Sequence, residues 1–298
     1  MKHIPVLKDE SINGLAIKEG DIIVDGTLGG GGHTYEMIKQ FGSSIKIIGL
    51  DLDLDAKART QELIGGALSN FTFVNSGFQD IDKVLADLKI EKVDGILLDL
   101  GISSFQLEVA GRGFSFLKDE PLLMTMKKEP TDEDLTAREI VNTWEEESIA
   151  DIIYGFGEEK YSRKIAKKIV ESRKEKDIAT TFDLVKIIGD AVGGHYKGLR
   201  IHPATRTFQA LRIATNSELS NLEQVIEKGL DCLKAGGHMA IITFHSLEDR
   251  IVKRAFVALK EKGKANILNK KPIVPTEEEL KSNPRSRSAK LRLLEKLK

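Results

Sequence analysis

The stretch "DGTLGGGGHT", residues 25–34, follows the apolar run Ile22-Ile23-Val24 and puts five glycines into the seven positions 26–32. Glycines between a strand and a helix let the backbone approach a ligand and leave amide groups free to bind it. A phosphate-binding P-loop needs a lysine beside its last glycine, and here the chain reads Gly31-Gly32-His33-Thr34, which argues against an NTPase. The dinucleotide pattern G-x-G-x-x-G is matched poorly by Gly26 and Gly29 through Gly32. An S-adenosylmethionine site has an acid at the end of the first strand and alternating glycines after it. Asp25, Gly29 and Gly31 fit, with Thr27 standing where a first glycine is common.

Outward from this loop, strand-like runs recur at 21–25, 45–51, 71–76, 93–100 and 238–246, each rich in Ile, Val, Leu or Phe and bounded by turn residues. Helical stretches such as 33–41 and 55–65 separate the first four. The alternation predicts a doubly wound α/β domain with a mostly parallel sheet. The first four runs start 22 to 26 residues apart, but the fifth starts 145 residues after the fourth. A crossover takes about thirty residues, so the excess predicts an inserted helical subdomain at 111–198, dividing the sheet domain into 1–110 and 199–298. Tyr161, Ile165 and Ile169 share one helical face, with Arg163, Lys164, Lys167 and Lys168 elsewhere. Residues 202–237 read as one long crossover helix ended by Gly236-Gly237, and "ANILNK" and "SAKLRLLEKL" as late edge strands.

Acids and polar groups gather at the predicted strand ends. Asp51 ends "GLDLD" and lies twenty residues beyond Gly31, the place of a carboxylate that hydrogen-bonds ribose hydroxyls. Phe78 follows the third strand and is suited to lie against an adenine or to pack in the core. Asp99 ends the fourth, with Ser103, Ser104 and Gln106 just after it. His245, Ser246, Glu248 and Asp249 follow the fifth, where His245 reads equally as a structural histidine. No metal is expected, because no partner cluster has ligand spacing. No G-x-S-x-G elbow accompanies these serines, so a hydrolase pairing is not indicated. The one cysteine, Cys232, excludes an internal disulfide and a cysteine zinc cluster.

The net charge of -1 hides an asymmetry. Residues 119–159 carry 13 Asp/Glu against 3 Lys/Arg, whereas residues 250–298 carry 15 Lys/Arg against 5 Asp/Glu. The block 160–176 adds 8 basic residues against 2 acids. Such patches suit a polyanion, and equally a solvated helix face. No apolar stretch approaches the roughly 20 residues of a membrane span, and "MKHIPVLKDE" has acids where a signal peptide is apolar. A cytoplasmic protein without a membrane partner is expected.

Taken together, "HIPVL", "DGTLGGGGHT", "DLGISSFQL", "RGFSF", "HPATRTFQALRI" with "NSEL", "FHSLEDRIVK" and "NPRSRSAKLR" occur in one order over nearly the whole chain. They resemble the RsmH (formerly MraW) family of bacterial ribosomal RNA small subunit methyltransferases. The resemblance implies a Rossmann-like class I S-adenosylmethionine-dependent methyltransferase fold with a helical insertion. It implies methylation of N4 of a P-site cytidine in 16S ribosomal RNA, with the small ribosomal subunit or its RNA as partner. It assigns Gly31, Gly32 and His33 to the methionine end of the cofactor, Asp51 to the ribose, Phe78 to the adenine region, and Asp99 and Gln106 to the remaining cofactor contacts. Asp99, the Ser103-Ser104 turn and His245-Ser246 are the candidates for accepting hydrogen bonds from N4, and Arg112, Phe114 and Phe116 for receiving a base. The chain departs from the family's P-L-D-M-R-M-D at "PLLMTMK" (121–127), where Leu123, Thr125 and Lys127 replace an acid, an arginine and an acid. Three alternatives compete: a DNA amino-methyltransferase, disfavoured by the missing proline-proline-aromatic turn; a cofactor-binding ribosome-assembly factor without turnover; and an NAD-dependent oxidoreductase.

Overall fold

A computed structural model describes residues 4–198 and 201–297, apart from the side chain of Ser104. The chain forms two compact units, Met1–Ser103 with Leu219–Lys298, and Ser104–Glu218.

The first unit opens with helix α1 (Lys8–Gly14), strand β1 (Ile22–Asp25), α2 (Gly32–Phe41), β2 (Lys46–Asp51), α3 (Asp55–Ile64), β3 (Phe71–Asn75), α4 (Ile81–Asp87) and β4 (Val93–Asp99). The second holds α5 (Ser104–Glu108), α6 (Ala137–Thr143), α7 (Glu146–Gly157), α8 (Ser162–Arg173), α9 (Thr181–Val192) and α10 (Ala204–Asn216). The chain then continues through α11 (Glu218–Cys232), β5 (Leu233–Thr243), α12 (Ser246–Glu261), β6 (Ala265–Ile267), α13 (Glu277–Ser282) and β7 (Lys290–Lys296).

The seven strands form one sheet in the order β3-β2-β1-β4-β5-β7-β6. The first five run parallel, while β7 is antiparallel to both β5 and β6. Strand alternation buries both faces. Val24, Ile48, Ile96, Leu98 and Ile241 pack with α4, α11 and α12 through Val84, Leu85, Val225, Ile226, Val252 and Phe256. Ile23, Ile47, Leu97, Ala240 and Ile242 point the other way, onto Ile12 and Leu15 and onto Met37 of α2. This is the doubly wound arrangement that the alternation predicts. The chain winds one way from β1 and the other way from β4, and such neighbouring strands open a crevice at their carboxyl ends.

Three local expectations are corrected. Residues 202–237 are not one crossover helix: Ser217 adopts φ 50°, the left-handed region, and separates α10 from α11. Gly236-Gly237 do not end a helix either. Strand β5 begins directly after α11, and the glycines lie in an irregularity where the pairing jumps from Val93–Leu233 to Gly95–His238. "SAKLRLLEKL" makes an interior strand, β7, rather than an edge. In the helical unit Ile140, Ile149, Ile153, Ile165, Ile169, Leu184, Ile188 and Leu211 are buried, and Thr180 with Asp183 closes a capping box at the start of α9. The unit's bounds, Ser104–Glu218, run beyond the predicted 111–198 at both ends and take in α5 and α10.

Candidate active site

Three carboxylates sit at the carboxyl ends of β1, β2 and β4: Asp25, Asp51 and Asp99. The glycine loop between β1 and α2 is woven among them. Gly29 and Gly31 have φ of 54° and 75°, a region in which side chains are strained. The N–H of Gly29 donates to Asp51 Oδ2 at 2.7 Å, and that of Asp53 to Asp51 Oδ1 at 2.8 Å. The Gly29 carbonyl accepts from Arg59 of α3 at 3.3–3.4 Å, so its peptide is gripped from both sides. Gly32 and His33 begin α2, whose first amides have no partner within the helix and suit a carboxylate.

Thr27, at the position where a glycine is often found, has a structural task. Its hydroxyl accepts the Asp99 N–H at 2.6 Å and ties the glycine loop to the end of β4. Asp25 is buried and accepts from the Thr34 hydroxyl at 2.7 Å and, weakly, from the Thr27 N–H at 3.4 Å. Burial pushes the Asp25 carboxyl above its ordinary range despite His33, Thr34 and Thr27. Thr27, Thr34 and Arg59 escaped the sequence reading because their roles depend on geometry that no spacing encodes.

His33 is buried, and its Nε2 lies 3.4 Å from Asp99 Oδ2, close enough for an ion pair but not aligned as a hydrogen bond. Burial by itself lowers the imidazole pKa, but Asp99 and Asp25 more than offset it, and the net shift is upward. Three buried atoms of this pair, His33 Nδ1 and Nε2 and Asp99 Oδ1, have no hydrogen-bond partner among the described residues. Buried polar atoms are nearly always satisfied, so the pair offers a donor or acceptor on each side to a bound molecule.

Burial also pushes Asp51 up to about 6, against the two backbone N–H groups that favour its ionised form. A carboxylate has about four lone-pair positions, so two remain for ribose hydroxyls. Affinity for a ribose-containing cofactor is therefore expected to be level above about pH 6 and to fall up to about tenfold per unit below it, because ribose donors favour the carboxylate over the carboxylic acid. Calorimetric titration of cofactor from pH 5 to pH 8 checks this. The Asp51→Asn variant should bind weakly at every pH with a flat profile.

The remaining expected residues fall in several places. Phe78 opens a short helical turn after β3 and packs half-buried against the sheet core beside Gly26. Ser103 is half-buried, and the missing Cβ of Gly29 would come within 3.6 Å of its Cβ. The Ser104 side chain lies outside the described residues. Gln106 is buried in α5 of the helical unit. His245 caps α12: its Nδ1 accepts the Glu248 N–H at 3.4 Å, while Glu248 Oε2 accepts from the His245 N–H at 3.2 Å. His245 Nε2 lies 3.2 Å from Glu248 Oε1. Nδ1 thus serves the cap, which favours the structural reading of His245, while buried Nε2 has no hydrogen-bond partner among the described residues. Ser246, the first residue of α12, is exposed.

In the helical unit, Arg112 and Phe114 are buried, and Phe116 stacks on His202 with centroids 4.7 Å apart. The departing stretch 121–127 is a braced irregular segment with Met124 in the left-handed region, φ 54°. Leu122, Met124 and Thr125 are buried, Asn216 bonds Met124 O and Met126 N, and Arg112 bonds Met126 O. The Thr125 hydroxyl accepts the Lys127 N–H at 3.3 Å, and the Lys127 ammonium pairs with Asp134. The three replacements are accommodated within this framework.

The MraW methylase family matches residues 1–297. The chain is 46% identical over 311 aligned residues to Ribosomal RNA small subunit methyltransferase H of Clostridium botulinum (strain Kyoto / Type A2), covering 99% of both chains. It is 45% identical over 311 aligned residues to the protein of that name in Syntrophus aciditrophicus (strain SB), covering 99% of this chain and 98% of that one.

Proposed function

Since the chain belongs to the MraW methylase family, we propose that it transfers a methyl group from S-adenosylmethionine to N4 of a P-site cytidine in small-subunit (16S) ribosomal RNA. Its fold is the Rossmann-like class I sheet, and its cofactor is S-adenosylmethionine. The observation that carries the reading is the His33–Asp99 pair, whose two ring nitrogens and one carboxylate oxygen have no hydrogen-bond partner among the described residues, at the ends of β4 and of the glycine loop. The names of the relatives support the ribosomal RNA substrate.

The residues fit the cofactor by chemistry. The first turn of α2, with Gly31, Gly32 and His33, would hold the methionine carboxylate, Asp51 the ribose, and Phe78 the adenine, with Asp25 and Gly29 supporting the site. Bound S-adenosylmethionine supplies a methyl group carried on positively charged sulfur. The chain's own task concerns the amine. The cytosine N4 lone pair is delocalised into the ring, so N4 must be held in line at about 3 Å and relieved of a proton. Asp99 Oδ1 is an acceptor without a hydrogen-bond partner among the described residues, while Oδ2 faces His33. Against the effect of burial, Asp99 and Asp25 together raise the His33 pKa, so the imidazole is tuned by the carboxylate it faces. The Ser103-Ser104 turn would steady the base edge. His245 and Ser246 act by holding the start of α12, and His245 is a positioning residue.

Carbon-5 methylation of cytosine would need a thiolate nucleophile. The one cysteine, Cys232, is buried at the entry to β5, the opposite end of the strand from the crevice, and burial pushes its thiol pKa up. This favours transfer to nitrogen. The helical unit would recognise the RNA, with phosphates held by the basic segments 160–176 and 250–298. Affinity for naked small-subunit RNA should then fall with salt by about 0.7–0.9 in log K per log salt for each phosphate contacted. A flat plot removes those segments from the substrate interface.

Nucleoside mass spectrometry tests the reaction itself. Labelled S-adenosylmethionine is incubated with the protein and unmethylated small subunits, and separately with naked RNA. Label in N4-methylcytidine from the subunits is the expected result. Cofactor binding without label favours instead an assembly factor that lacks turnover, the reading that the replacements at Leu123, Thr125 and Lys127 would then explain.

A further inference from the structure

The helical unit carries a built aromatic and cationic surface that neither cofactor binding nor proton removal uses. Tyr161, just before α8, stacks on His195 with ring centroids 4.5 Å apart and planes 24° from parallel. His195 belongs to the short turn Gly193–Tyr196 after α9 and is exposed, whereas Tyr161 is half-buried. Lys160 and Lys164 place their ammonium groups 5.0 and 5.5 Å from the Tyr161 ring centroid. Lys164 Nζ also lies 3.4 Å from His195 Nε2.

One buried carboxylate fixes both halves of the stack. Glu159 accepts the Tyr161 N–H at 2.8 Å and also the hydroxyl of Tyr196, the residue after His195. Burial and Glu159 push the Tyr196 hydroxyl up to about 12, so it stays a donor. The two rings are therefore pre-positioned from beneath rather than brought together by chance at the surface.

Lys160, Arg163, Lys164 and Lys167 are exposed; Lys160 lies in the turn before α8, and Arg163 and Lys164 each fall within one turn of Lys167, which stacks like charges along one helical side. None of Lys160, Arg163 or Lys167 is ion-paired among the described residues. A self-repelling column beside an open aromatic face matches the chemistry of an unpaired nucleotide, whose base stacks and whose phosphates neutralise the cations.

We propose that the Tyr161–His195 stack is a platform for an unpaired base of the RNA substrate, with Lys160, Arg163, Lys164 and Lys167 holding the flanking phosphates. The inference rests on the RNA methyltransferase reading and deepens it by naming a surface of the helical unit that would grip the RNA. A base would add to the open face of His195. Duplex RNA, whose bases are already stacked, would gain only the phosphate contacts.

The test uses the full chain, a labelled single-stranded RNA oligonucleotide, a duplex of the same sequence, and heparin as a polyanion without bases. His195→Ala alters an exposed side chain and should weaken single-strand binding about 5- to 100-fold, while leaving heparin binding and the salt slope unchanged. Tyr161→Phe should bind as wild type, since it keeps the ring. Arg163→Ala and Lys167→Ala should each weaken all three probes and reduce the salt slope by about one. If His195→Ala and Tyr161→Ala bind single strands as tightly as wild type, or if wild type binds none, the platform is wrong. Methyl transfer measured on the same preparations separates the two claims. Transfer with an indifferent His195→Ala sinks the platform alone, whereas lost RNA binding in His195→Ala without any wild-type transfer leaves the platform standing and sinks the methyltransferase reading.

Discussion

Replacing Asp99 by asparagine should slow single-turnover methyl transfer by about 10²- to 10⁴-fold, the usual contribution of a positioned proton acceptor. Cofactor affinity should change far less, by about tenfold at most, because Asp99 is one of several groups proposed to line the cofactor. Asp99 Oδ1 is a buried oxygen with no hydrogen-bond partner among the described residues, and Oδ2 faces the His33 imidazole at 3.4 Å. Asparagine keeps the shape but loses the charge, and with it most of the upward pull on His33. The pH dependence of His33 titration, followed by NMR, should therefore move to lower pH in the same variant. A single-turnover rate within threefold of wild type would remove Asp99 from the chemistry.

Gly31→Ala should be nearly as damaging, through the backbone. Gly31 has φ 75°, which costs a residue with a Cβ about 1–2 kcal/mol. The added Cβ would also stand 2.5 Å from Thr60 Oγ1, 2.8 Å from Cγ2 and 2.9 Å from Cβ. Thr60 is fully buried in α3, so no side-chain rotation relieves all three contacts, and overpacking of this kind adds about 1–3 kcal/mol. The expected loss, about 2–5 kcal/mol in all, is readable by chemical denaturation without cofactor. Cofactor affinity should fall with it, since the shift displaces the start of α2. The double variant Gly31→Ala/Thr60→Ala should recover part of the loss by removing the two nearest atoms, and never all of it, because φ is unchanged. Full recovery, or none, would contradict this division.

The framework was legible because its signals are local. Ile, Val and Leu runs bounded by Gly, Asn and Asp marked every parallel strand, and the acids ending three of them, Asp25, Asp51 and Asp99, announced the crevice. Irregular points were not legible. Ser217 takes a left-handed conformation that sequence usually signals with glycine, and β5 begins at Leu233 with no turn residue between it and α11. The site divides in the same way. A strand-end acid can be read from spacing, but the Thr27–Asp99 tie, the Thr34–Asp25 bond and the Arg59 grip on Gly29 join residues that only the sheet brings together. His33 was indicated by resemblance alone, and the structure supplies its physical context.

Strand β7 has a consequence for the birth of the molecule. It pairs with both β5 and β6, so the sheet stays open beside β5 until residues 290–296 have emerged from the ribosome. The helical unit, contiguous from Ser104 to Glu218, faces no such wait and has its whole sequence available while the sheet is unfinished. Limited proteolysis of stalled nascent chains ending before Lys290 should find 104–218 protected and the flanking segments cut. Synthesis from the N-terminus would then complete the inserted piece first and its host last.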